Sequence, residues 1–130
     1  MMADEYKHSG LTDAIIGAFY TVYNCLGRGF LEKVYENALA HELRQRGLSL
    51  TQQAPTRVCY DGAIVGEYYA DLLVEDAVIV ELKACETLSA DHEAQFLNYL
   101  RATDIDVGLL LNFGPKPQVR RKIYDLARKR

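Results

Sequence analysis

Thirteen consecutive residues constrain this chain more than any others: from Asp71 to Lys83 it reads Asp-Leu-Leu-Val-Glu-Asp-Ala-Val-Ile-Val-Glu-Leu-Lys. Aliphatic runs on either side of Asp76 predict two strands, Asp71–Glu75 and Ala77–Lys83, joined tightly and lying centrally in a sheet. Strand residues two apart share a face, so Glu81 and Lys83 project together while Val78, Val80 and Leu82 point the other way. A carboxylate and an ammonium at the end of a central strand, on a face that a helix would cover, call for a chemical reason.

The surroundings set the fold class. Leu11, Ile15, Ala18, Phe19, Val22 and Leu26 recur at helical steps, with Thr12 placed to cap a first helix. Gly27 and Gly29 interrupt it, and a second helix follows from about Phe30 to Arg46, closed by Gly47. Texture then turns β-branched and aromatic: Leu48–Gln53, Thr56–Tyr60 and Ala63–Tyr69 read as strands, the last two around the hairpin dipeptide Asp61-Gly62. Ser89 is an N-cap for a helix over Ala90–Ala102 whose apolar positions are Ala94, Leu97 and Leu100. Val107–Phe113 reads as a strand buried on both faces, and Val119, Ile123 and Leu126 suggest a basic terminal helix over about 117–130. The expected order is α-α-β-β-β-α-β-α in a single α/β domain spanning residues 1–130.

Charge is divided unevenly along the chain. Residues 1–115 hold 8 Lys/Arg against 17 Asp/Glu, and residues 116–130 hold 7 against 1. An acidic body repels nucleic acid unless cations or a basic patch intervene, so the tail, with Arg120 and Arg121, is the candidate for holding phosphates. No apolar run reaches the ~20 residues of a membrane span. Cys25, Cys59 and Cys85 lack metal or redox spacing and read as buried free thiols. A soluble, cytoplasmic protein with no membrane partner is the expectation.

Asp71 and Glu81 lie ten residues apart across a hairpin and can converge on a divalent cation, with Lys83 beside an attacking water. Magnesium keeps several waters, so two carboxylates and a main-chain carbonyl, that of Leu82, suffice as protein ligands. Glu32 and Glu36 share a helical face with Tyr35 beside them; their mutual repulsion would be relieved by a cation. Gln95 and Tyr99 also share a face and can donate to phosphate or to a carboxylate. His92 reads as a solvated side chain near a helix start, and Asn112 as a buried cap on a loop.

In this pattern the chain resembles the PD-(D/E)XK phosphodiesterases, with Asp71 in the Asp position, Glu81-Leu82-Lys83 as E-x-K, and Ala70 where that signature has Pro. Gly29-Phe30-Leu31-Glu32-Lys33-Val34-Tyr35 fits G-x-x-E-x-x-Y, the signature of the GxxExxY proteins, and Gln95 to Tyr99 fits the Q-x-x-x-Y motif of RecB-like nucleases. The resemblance implies a restriction-endonuclease-like core with a mixed sheet flanked by helices. It also implies Mg²⁺- or Mn²⁺-dependent hydrolysis of nucleic-acid phosphodiesters, DNA being the expected partner ahead of RNA. Glu32 or Glu36 would complete the acidic cluster, and Gln95, Tyr99 and Tyr35 would contact substrate. A small acidic chain would gain substrate surface as a homodimer. The rival expectation is a non-catalytic binding or assembly module on the same fold, against which Lys83 argues, since an ammonium beside a cation weakens its binding.

Overall fold

A computed structural model describes residues 7–124. Two helices, α1 (Ser9–Leu26) and α2 (Glu32–Gln45), precede β1 (Leu50–Tyr60), β2 (Ala63–Val74) and β3 (Val78–Lys83); α3 (Ala90–Ala102), β4 (Val107–Phe113) and β5 (Pro117–Ile123) follow. The five strands form one mixed sheet in the order β1-β2-β3-β4-β5. Only β3 and β4 run parallel, from Val78↔Val107 to Lys83↔Asn112, joined through α3.

Strand alternation divides the core. Val78, Val80 and Leu82 of β3, with Val107, Leu109, Leu111 and Phe113 of β4, pack under α1 and α2 against Ile15, Phe19, Leu39 and Leu43. Ile79 and Leu110 face the other layer, where α3 presents Phe96 and Leu100. Every residue of β4 is buried, as its unbroken apolar run predicts. Gly108 is where Phe96 lies directly on the sheet: a Cβ there would stand 2.6 Å from Phe96 Cζ. The hairpin forms as expected, Asp61 and Gly62 taking φ of 52° and 79° between the paired Tyr60 and Ala63.

Between β1 and β2 the alternation is broken. Leu72 packs under α1 and α2, whereas Ala70, two residues earlier, packs under α3. The register passes from Gln52↔Leu72 to Ala54↔Ala70, and Gln53 adopts a left-handed φ of 52°. This twist lets one long hairpin serve both layers, and it falls at Asp71.

Several expectations need correction. The segments expected at Leu48–Gln53 and Thr56–Tyr60 merge into the single strand Leu50–Tyr60, and those at Ala63–Tyr69 and Asp71–Glu75 into Ala63–Val74, because a long ladder tolerates the local kink. The proposed terminal helix is a strand over Pro117–Ile123; its remainder, with Leu126, lies outside the described residues. Val119 and Ile123 are four apart, a spacing that suits a strand as well as a helix, and the buried edge of β4 needs a hydrogen-bonding partner. Thr12 lies inside α1, buried, with Oγ1 donating to the Ser9 carbonyl, so it caps nothing. On α3 the buried face is Phe96 and Leu100; Leu97 is half-buried and Ala94 exposed. Cys25 and Cys59 are exposed and Cys85 half-buried, which overturns their reading as core thiols.

Candidate active site

Pairing between β2 and β3 stops at Leu72↔Val80, and the side chains of Asp71 and Glu81 take over from the backbone. The Leu82 N–H of β3 donates to Asp71 Oδ2 at 2.8 Å. Asp71 is thus held by the backbone of the strand that carries Glu81. Gln53 Nε2 donates to Asp71 Oδ1 at 3.2 Å, and the Tyr68 hydroxyl to Glu81 Oε1 at 3.3 Å.

Two carboxylates so placed disfavour each other's charge. Burial, reinforced by the negative charge of Asp71, pushes Glu81 up to about 7, with Lys83 pulling the other way. Asp71 is also raised, chiefly by burial and further by Glu36 and Glu32, against the lowering effect of the Leu82 N–H and Gln53. The Tyr68 hydroxyl is raised by burial and by Glu81. A cation near this pair would relieve all three.

Glu32 opens α2 and stands exposed at the mouth of a cavity of about 280 Å³ lined by Glu32, Lys33, Glu36, Gln53, Asp71 and Leu82. Glu36 is 4% exposed and already accepts from Lys33 Nζ at 3.1 Å, Gln52 Nε2 at 2.8 Å and Gln53 Nε2 at 2.8 Å. Tyr35 is fully buried, donates to the Gly27 carbonyl at 2.6 Å, accepts from the Phe30 N–H and stacks on Phe113. It ties down the Gly27–Phe30 loop and is no substrate contact, contrary to expectation. The apolar sheet beneath α2 claims its ring.

On α3, Ser89 and His92 form a reciprocal capping box, which is the role of His92. Tyr99 stacks flat on Tyr68, centroids 3.8 Å apart, and Gln95 Nε2 donates to the Tyr99 hydroxyl at 3.4 Å. Tyr99 therefore touches the acidic pair through Tyr68, and Gln95 stays exposed. Asn112 is buried and closes the loop after β3, exchanging hydrogen bonds with the Cys85 backbone. Arg120 and Lys122 pair with Glu93 of α3, and Arg121 bonds the Lys7 carbonyl and Thr12 Oγ1; these cations meet helices rather than Asp71 and Glu81.

Sequence reasoning missed Gln53 and Tyr68. Neither carries periodicity or motif; only the kink in the hairpin aims Gln53, and strand parity counted from Asp71 selects Tyr69, so the same kink decides that Tyr68 reaches Glu81.

The donor set suits a hard divalent cation, being carboxylate oxygens with partly buried, uncompensated charge. Among the described residues no three of His, Cys, Asp and Glu gather closely enough to cage a metal.

A mixed five-stranded sheet between helical layers, bearing acids at the parting of its second and third strands, is the restriction-endonuclease-like arrangement. The chain belongs to the PD-(D/E)XK nuclease superfamily, whose family model matches residues 9–122. It is similar in fold to the crystal structure of SSO0001, with a TM-score of 0.53 and 17% identity over 96% of this chain and 64% of that one. The chain thus spans less than two thirds of that protein's length. No curated protein matches it in sequence.

Proposed function

We propose that this chain is a Mg²⁺- or Mn²⁺-dependent nuclease, of the GxxExxY kind, that hydrolyses nucleic-acid phosphodiesters, DNA in preference to RNA. The observation that carries the reading is the meeting of Asp71, bonded to the Leu82 N–H of β3, with the partly buried Glu81 of that strand, Lys83 standing next but one along it.

Asp71 and Glu81, with the Leu82 carbonyl, would hold the cation, which when bound supplies a Lewis acid and lowers the pKa of water. Lys83 Nζ is the donor to the attacking oxygen and to the charge developing on phosphorus. Glu32, exposed at the cavity mouth, adds negative charge that draws a cation in. Gln95 offers an amide to substrate from the exposed face of α3, and Tyr99 steadies Tyr68.

The test is a panel of labelled DNA and RNA, single- and double-stranded, incubated with Mg²⁺ or Mn²⁺. Cleavage by wild type that is lost in Glu81→Ala, with its thermal unfolding intact, supports the proposal. Metal uptake with no cleavage of any nucleic acid would leave a binding module instead.

A further inference from the structure

Gln53 belongs to no motif, yet its placement is costly and specific. A left-handed φ of 52° is disfavoured for a residue with a Cβ. The β1–β2 register passes over it, so its backbone is spent on the kink. What the kink achieves is the aim of the side chain: Nε2 donates to Glu36 Oε1 at 2.8 Å and to Asp71 Oδ1 at 3.2 Å. A primary amide carries two protons, one for each acid.

Glu36 is fitted to anchor that amide. Lys33, Gln52 and Gln53 all donate to its buried carboxylate, and a cation taken up there would have to displace three donors already in place. Asp71 is the reverse case. One oxygen is fixed by the Leu82 N–H and the other by Gln53, so the plane of its carboxylate is set from two sides before any ligand arrives.

From this geometry we infer that Gln53 is a positioning residue for Asp71, and that Glu36 acts through Gln53 and is not itself a metal ligand. The inference rests on the metal-site reading of Asp71 and Glu81. A carboxylate oriented in advance loses less freedom on taking up a cation, and partners of this kind commonly govern metal affinity by 10–100-fold.

Gln53→Asn separates this role from a merely structural one. Asparagine suits a left-handed backbone better than glutamine does, so Tm should hold or rise, but its amide is one methylene too short to span both acids. Calorimetric titration with Mn²⁺, in the absence of nucleic acid, should show affinity reduced by about 10-fold or more. In cleavage assays at subsaturating Mn²⁺, kcat should fall while the nucleic-acid KM stays put. Glu36→Gln keeps an oxygen for the Gln53 amide and should lose far less Mn²⁺ affinity than Asp71→Asn. A folded Gln53→Asn protein with wild-type Mn²⁺ affinity overturns the positioning role. Loss of Mn²⁺ binding in Glu36→Gln as deep as in Asp71→Asn makes Glu36 a ligand and overturns the second half. Wild type that takes up no Mn²⁺ overturns the metal-site reading itself, and this inference with it.

Discussion

At the residue scale the acidic pair works against folding. Glu81 is raised from its ordinary 4.5 to about 7, so between those values the folded protein holds a proton that the unfolded chain has released. Stability must therefore fall as pH rises through that window, the opposite of a salt-bridged carboxylate. Asp71, raised in the same direction by burial, contributes with the same sign. Urea unfolding should find Glu81→Gln more stable than wild type at pH 8, on the order of 1–3 kcal/mol, and indistinguishable from it at pH 4. An equal gap at both pH values would show that burial does not govern this carboxylate. Lys83 makes the complementary prediction. Lys83→Met keeps the stem and deletes the ammonium, so the fold should hold and Mn²⁺ affinity hold or rise while turnover drops roughly 10²–10³-fold. Wild-type cleavage by that variant would remove Lys83 from the mechanism.

At the element scale, the seat of α3 is set by one missing side chain. Phe96 rests on Gly108, and a methyl group there would collide with the ring. Gly108→Ala should cost roughly 1–3 kcal/mol of stability, read as a lower Tm, and Phe96→Leu on top of it should restore part of the loss. Because Tyr99 lies on the same helix and stacks on Tyr68, a shifted α3 should also weaken cleavage at temperatures where the protein stays folded. The helix itself was legible: Ser89 and the apolar spacing define it in one dimension. Its inward face was misjudged because Leu97 and Phe96 are neighbours in sequence, and the sheet it meets selects between them.

At the scale of the whole molecule, β5 changes what the basic segment is for. It pairs with β4 from Val107↔Ile123 to Phe113↔Pro117, and its cations are engaged by Glu93 and by the start of α1. A chain ended at Pro115 should therefore lose cooperative thermal unfolding, since β4 would expose an unpaired edge and Val119 and Ile123 would leave the core. A truncate that folds with its near-ultraviolet circular dichroism intact would return the segment to a purely electrostatic role. Removal of β5 is accordingly no clean test of phosphate binding.

Local pattern determined the helices, the hairpin at Asp61-Gly62, the buried strand Val107–Phe113 and the shared face of Glu81 and Lys83, because each depends on a periodicity of 3.6 or 2 that neighbouring residues carry among themselves. Motif spacing likewise picked out Asp71, Glu81 and Lys83. Only the tertiary structure decided that 117–123 is a strand, that Tyr35 is walled into the core, that Glu36 is occupied by Lys33, Gln52 and Gln53, and that Gln53 and Tyr68 hold the acids. These outcomes turn on contacts between residues far apart in the chain and on one kink that exchanges the faces of a hairpin. A kink of that kind is stabilised by what packs and bonds around it, and no local propensity announces it.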